Sequence, residues 1–246
     1  MPVESHSVKV VFFDAAGTLF RLKESVGDIY LHYAKSYGVT SSEKMKKAIN
    51  VAFQEAFRAA PPAVFATDRF EKLKQCERLW WFDLVHAVFY RVGMFEGFDD
   101  FFEDVFQAFT GATHWVLEPD ALPVLKTLKT AGFELGIISN FDTRLFGIVR
   151  ELGLSEWLDS MTISSLAGAV KPSPRIFQFA LDQHAMEPNE ALHIGDSVKE
   201  DYEGAKRSGL HGVLLSRTTD TQAGCVCLKS LHELPLYLSR LSSDPG

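Results

Sequence analysis

Short β-branched and aromatic runs that stop at a polar or small residue alternate with stretches of helical periodicity along much of this chain. The first run, Val8-Lys9-Val10-Val11-Phe12-Phe13, reads as a strand buried on both faces in the middle of a parallel sheet. It ends at Asp14, and the small-residue turn Ala15-Ala16-Gly17-Thr18 follows. From about Ser25 to Phe109 strand signals nearly vanish. The pattern predicts helices from Ser25 to Tyr37, from Ser42-Glu43 toward Ala60, from Arg69 to Val92 and from Phe98 to Phe109. Gly38, Pro61-Pro62 and Gly93 close the first three. From Pro119 onward alternation returns. Strands are expected at Phe133–Ile138, near Met161–Ile163, at Ala191–Ile194 and at Gly212–Leu215. Helices are expected from Pro119 to Ala131, Thr143 to Leu152, Ser173-Pro174 to Met186, Val198 to Ser208 and Leu231 to Leu241, with a frayed end after them.

Strands alternating with helices imply an α/β fold: a doubly wound, Rossmann-like parallel sheet with right-handed crossovers. The helical block interrupts that sheet between its first and second strands. The expected organisation is therefore a core of residues 1–20 and 115–246 with an all-helical cap of residues 21–114 inserted into it.

Composition narrows the partners. A chain of 246 residues that is 46% hydrophobic can build a substantial core, and its net charge of -7 argues against a nucleic-acid or anionic-membrane surface. No apolar run reaches membrane-spanning length, and Met1 to His6 lack a basic segment followed by an apolar stretch. The expectation is a cytoplasmic protein, monomeric or homodimeric, with neither a nucleic acid nor a membrane as partner. The three cysteines, Cys76, Cys225 and Cys227, fit a reducing compartment better than a disulfide framework. Cys225-Val-Cys227 lacks further ligands for a metal and is expected to be structural.

Three expected strands end in polar groups: Asp14, then Ser139-Asn140, then Asp196-Ser197 with Asp201 beyond. Lys171-Pro172 precedes a helix. Alone, each has a mundane explanation as a turn, a cap or a solvated cation. In a parallel sheet all strand carboxyl ends share one edge, so these groups should converge. The pieces Asp14-Ala-Ala-Gly-Thr-Leu, Ile138-Ser139-Asn140, Val170-Lys171-Pro172 and Gly195-Asp196-Ser197-x-x-x-Asp201 resemble the four motifs of the haloacid dehalogenase superfamily. The helical insertion resembles the C1 cap of its subfamily I. Trp80-Trp81 and Phe141-Asp142 are similar to the group typified by the rhythmically-expressed-gene-2-like hydrolases.

The resemblance implies a Mg²⁺-dependent hydrolase of phosphatase type that works through an aspartyl-phosphate on a small phosphorylated metabolite. It makes Asp14 the nucleophile and a metal ligand, and the backbone carbonyl of Ala16 and Asp196 further ligands. Asp201 would bind directly, through water or one layer out. Ser139 and the Asn140 amide would hold phosphoryl oxygens, and Lys171 would offset the repulsion among carboxylates and phosphate. Arg21, with Lys23, lies just beyond the first motif within reach of an anionic substrate. Phe20, Arg69, Trp80, Trp81 and Trp115 are further candidates for specificity. His193 is expected to be a packed core histidine, and Asp142 and Arg144 a structural pair.

One position departs from the family's phosphatase pattern, which has a second Asp two residues after the nucleophile as general acid and base. Here that residue is Ala16. Positioned acid–base help is worth about 10²–10⁴ in rate. Three readings follow: a phosphohydrolase for substrates with good leaving groups or with an acid borrowed from the cap, a phosphonatase-like C–P hydrolase, and a low-turnover metal- and phosphate-binding regulatory protein. The phosphonatase-like branch also carries Ala here but needs a cap lysine. Lys35, Lys44, Lys46, Lys47, Lys72 and Lys74 lie in no stretch that resembles its motif. Dehalogenation is disfavoured, because the haloacid dehalogenases use no Mg²⁺ and the acidic fourth motif is kept.

Overall fold

The computed structural model describes residues 8–217 and 224–241. Met1 to His6 and the end beyond Leu241, read above from sequence, lie outside them. The strands in chain order are β1 Val10–Phe13, β2 Phe20–Leu22, β3 Trp115–Leu117, β4 Glu134–Ser139, β5 Ser160–Ile163, β6 Ala191–Gly195, β7 His211–Leu215 and β8 Cys227–Leu228. The α-helices are α1 Val26–Ala34, α2 Glu43–Ala59, α3 Phe70–Val92, α4 Phe98–Ala108, α5 Ala121–Thr130, α6 Leu145–Glu151, α7 Ser164–Ala167, α8 Pro174–His184, α9 Glu203–Arg207 and α10 Leu234–Leu241. By contact, the chain divides into two compact units. Met1–Arg21, Leu117–Phe141 and Gly153–Gly246 make one, and Leu22–Val116 with Asp142–Leu152 makes the other.

The first unit is built on a six-stranded sheet of order β5-β4-β1-β6-β7-β8, with parallel pairing at each step. This is the doubly wound α/β architecture that the alternating pattern implies. The order runs outward in both directions from β1, so the topological switch point lies at β1, where open α/β sheets hold their ligands. Every residue of β1 is fully buried, as an unbroken Val-Val-Phe-Phe run in a central strand requires. Val10 and Phe12 pack with Ile176, Phe177 and Ala180 of α8 on one face, and Val11 and Phe13 point to the other. Ser173 caps α8 by accepting from the Arg175 N–H, with Pro174 in the first turn.

The second unit is all helix in its core. Ser25 and Ser42 cap α1 and α2, and the Pro61-Pro62 pair lies just past the end of α2. Aromatic side chains fill the interior: Phe89 meets Phe101 edge to face at 5.0 Å, and Phe82 meets Phe102 likewise at 5.0 Å. Trp80 and Trp81 pack edge to face against each other. The Trp80 indole N–H donates to the Pro61 carbonyl at 2.8 Å, and that of Trp81 to Asp142 Oδ2 at 2.5 Å.

The segment Asp142–Leu152 groups with the helices, unlike the expected 21–114 insertion. Three contacts give the reason. Asp142 takes the Trp81 indole and a bidentate Arg144 guanidinium. That guanidinium lies 4.5 Å from the Trp81 ring and 4.8 Å from Phe106. The buried Glu77 carboxylate accepts both the N–H and the hydroxyl of Thr143.

Several local expectations shift. Pro119 precedes α5 rather than opening it. The sequence gives no sign of β2, β3 or β8, which are two or three residues long, too short for a periodicity to register. The segment expected as one helix from Val198 begins instead as a π-turn, Val198–Tyr202, that leads into α9. Among the described residues no helix is long and apolar enough to cross a membrane.

Candidate active site

The groups singled out by the motifs meet at the carboxyl ends of the three central strands. β1 ends at Asp14, whose N–H donates to the Ile194 carbonyl at 2.9 Å and so ties it to the end of β6. Ser139 closes β4 and donates its hydroxyl to Asp14 Oδ1 at 3.1 Å. Lys171 is 3% exposed, not a solvated loop cation, and its Nζ bridges Asp14 Oδ1 and Asp201 Oδ1 at 2.6 Å each. With Asp196, which follows β6, carboxylate oxygens of Asp14, Asp196 and Asp201 lie within 4.8 Å of one another.

Backbone geometry makes the crowding possible. Gly17 sits at φ +96°, and a Cβ built there would lie 2.5 Å from Asp196 Oδ2. A Cβ on Gly195 would come within 2.2 Å of Asp201 Cγ. Both positions therefore exclude side chains. The π-turn solves the register of the fourth motif: Asp201 and Tyr202 both donate their N–H to the Ser197 carbonyl, at 3.0 and 3.2 Å. The widened turn carries Asp201, five residues after Asp196, back under the strand end, where its Oδ2 accepts the Ser197 N–H at 2.9 Å. The turn after β1 hangs on Ala15, whose carbonyl accepts from Thr18, Leu19 and Phe20. The Ala16 carbonyl is not an acceptor in those bonds.

Charge is unevenly matched, with one ammonium among three carboxylates. Burial pushes the Asp14 carboxyl up, against the pull of Lys171. Burial also opposes charge on Asp201, but Lys171 and His193 hold it well below the usual carboxylate range. Lys171 is raised despite its burial, because Asp14 and Asp201 face it. Asp196 remains solvent-exposed, yet the protein atoms around its carboxyl and the charges of Asp14 and Asp201 push it up to about 6. Hard oxygen donors with surplus negative charge fit a divalent cation of the Mg²⁺ type, and the cluster is compatible with metal binding.

Other expected residues make contacts of their own outside the carboxylate cluster. The Asn140 side-chain amide is committed to the protein: Oδ1 accepts the Lys171 N–H at 2.7 Å, and Nδ2 donates to the Lys171 carbonyl and to Glu200 Oε2, each at 3.1 Å. It braces the Lys171 loop. Arg21 is exposed and pairs with Glu118 at 3.1 Å, and Lys23 donates to the Thr113 carbonyl. Cys76, Cys225 and Cys227 are free thiols. Two neighbours of the site escaped the motif reading. Glu200 is the spacer residue before Asp201, and burial pushes its carboxyl up. His193 is a packed core histidine in β6, as expected, but its Nε2 also meets Asp201 Oδ1 at 2.9 Å.

The chain as a whole has relatives among known proteins. Residues 8–209 match the family described as haloacid dehalogenase-like hydrolase. The chain belongs to that family and is a hydrolase of the haloacid dehalogenase superfamily. It is 33% identical over 210 residues to the human haloacid dehalogenase-like hydrolase domain-containing protein 3, covering 85% of this chain and 82% of that one. The Drosophila melanogaster rhythmically expressed gene 2 protein is 27% identical, over 84% of this chain and 82% of its own length. In fold the chain is similar to a phosphatase of the superfamily from Thermococcus onnurineus (TM-score 0.65, 22% identity, 94% and 98% covered). It is likewise similar to the L-2-haloacid dehalogenase of Xanthobacter autotrophicus (TM-score 0.70, 17% identity, 94% and 98% covered).

Proposed function

We propose that this chain is a Mg²⁺-dependent phosphohydrolase that uses Asp14 as its nucleophile on a small phosphorylated metabolite with a good leaving group. The observation that carries this is the double clamp on Asp14 Oδ1 by Lys171 Nζ and the Ser139 hydroxyl. It orients the carboxylate and leaves Oδ2 outside those two bonds. A carboxylate oxygen attacks phosphorus as the bond to the leaving oxygen breaks, giving an acyl phosphate on Asp14. Water then attacks that phosphorus, releasing phosphate and restoring the carboxylate. Lys171 favours the ionised form of Asp14 against its burial and offsets the charge on the phosphoryl oxygens. Asp14, Asp196 and the Ala16 carbonyl would hold Mg²⁺, with Asp201 behind them. When bound, the ion neutralises charge between nucleophile and phosphate.

Ala16 has no group to protonate the leaving oxygen, so that proton comes from solvent and substrates such as acyl phosphates are favoured. The same residue favours a second reading, a metal- and phosphate-binding protein with little turnover. The net charge of -7 supports a small-molecule substrate rather than a nucleic acid, and we place the protein in the cytoplasm as a monomer or homodimer.

The test is a panel of acetyl phosphate, p-nitrophenyl phosphate and phosphorylated metabolites with Mg²⁺, run on wild type, Asp14→Asn and Ala16→Asp. Loss of turnover in Asp14→Asn supports the nucleophile, and unchanged turnover removes it. Ala16→Asp is expected to raise monoester turnover by about 10²–10⁴. Monoester turnover no higher in that variant would mean that the missing acid is not what limits the chain.

A further inference from the structure

We propose that His193 is a positioning residue of the carboxylate centre. By donating from Nε2 to Asp201, it holds Asp201 in the orientation that braces Lys171. The inference rests on the metal-dependent reading above and assigns a role within it.

Packing alone does not account for this histidine. His193 is fully buried in β6, between β1 and β7, with its ring edge to face on Phe177 at 5.4 Å. Among the described residues its Nδ1 is buried with no hydrogen-bond partner. A buried unsatisfied polar atom is unfavourable, and a phenylalanine would fill the same space against Phe177 without it. The hydrogen bond this imidazole makes is the one from Nε2 to Asp201 Oδ1 at 2.9 Å. Asp201 is a carboxylate acceptor, so the bond requires the hydrogen on Nε2, and with no acceptor facing Nδ1 the neutral ring carries its one hydrogen on Nε2.

The count of acceptor sites on Asp201 then follows. Oδ1 receives Lys171 Nζ and His193 Nε2, and Oδ2 receives the Ser197 N–H. Three of its roughly four lone-pair sites are used by the protein. Asp14 has Oδ2 outside its two clamps, and Asp196 is exposed at the rim. The Asp201 carboxylate thus holds Lys171 and the π-turn through most of its acceptor sites. His193 holds it in that orientation from within β6, as outer groups orient ligands in metal centres.

Two measurements test this. The first uses wild-type protein with ¹⁵N-labelled histidine. The His193 ring should give the Nε2–H tautomer with an unprotonated Nδ1, and the opposite tautomer would overturn the proposal. The second is calorimetric titration of Mg²⁺ into wild type, His193→Phe and His193→Gln without substrate. His193→Phe keeps the ring against Phe177 but has no N–H, and His193→Gln can place an N–H near the former Nε2. Affinity should fall about 10–100-fold in His193→Phe and recover in His193→Gln. Equal losses in both variants, or wild-type affinity in His193→Phe, would sink the positioning role. Wild-type protein that binds no Mg²⁺ would overturn the metal reading itself and with it this role. If His193→Phe fails to fold, the tautomer and the His193→Gln affinity still decide.

Discussion

Lys171 is the residue on which the site's electrostatics turns, because among the described residues it is the one cation bonded to both Asp14 and Asp201 in a buried cluster. Removing one partner of a buried ion pair leaves an uncompensated charge and costs about 3–5 kcal/mol. Lys171→Met is therefore expected to lose stability of that order in urea denaturation without metal. Added Mg²⁺ should restore part of the loss. A variant as stable as wild type would show that the bridge carries no net energy. Gly17→Ala tests the crowding from the other side. It places a side chain at φ +96° and against Asp196, so Mg²⁺ affinity should fall sharply while the far side of the sheet keeps its hydrogen-exchange protection. Asp14, Ser139, Lys171 and Asp196 were legible in the sequence because each ends a strand or precedes a helix in a motif of fixed residue type. The bracing by Asn140 and Glu200 was not. Their bonds span 31 and 60 residues and exist only once the loops are folded together.

Among the elements, the strands and helices with a long periodic signal were readable, and their ends were less so. β1 was expected from Val8 and begins at Val10. β2, β3 and β8 offer no pattern because two or three residues cannot show alternation. The π-turn at Val198–Tyr202 is invisible to a helical period, though the five-residue spacing from Asp196 to Asp201 is its trace in the sequence. α6 is instructive for a different reason. Its helical character was plain, but its association with α3 depends on Asp142, Thr143 and Arg144 finding Trp81 and Glu77. Trp81→Phe keeps the ring under Arg144 and deletes the N–H to a buried carboxylate. A hydrogen bond to a charged group is worth about 1.5–3 kcal/mol, and thermal or urea unfolding should register a loss of that size. No loss would mean that Arg144 alone satisfies Asp142.

At the scale of the whole molecule, Asp120 gathers distant parts of the sheet unit. It accepts both terminal nitrogens of Arg217 at 2.9 and 3.0 Å, the Ser230 hydroxyl at 2.7 Å and the Leu231 N–H at 2.8 Å. Arg217 also donates to the Thr18 carbonyl, in the turn after the nucleophile. Burial works against the Asp120 charge, but these donors hold its carboxyl down at about 2. A carboxyl depressed in the folded state stabilises the fold above its unfolded value near about 4. That contribution is lost as pH falls from about 4 toward 2. Wild-type stability should drop across that window more steeply than that of Asp120→Asn, and parallel curves would contradict the assignment. The pattern of buried strands read correctly as a doubly wound sheet, and the family match agrees. Ala16 keeps the family from settling the activity, so the nucleophile has to be observed directly. The most direct measurement is rapid quenching during turnover of a labelled acyl phosphate, with peptide mapping of the phosphoryl adduct. The account predicts label on Asp14 in wild type and none in Asp14→Asn. Turnover with no label at Asp14, or label on another residue, would contradict it.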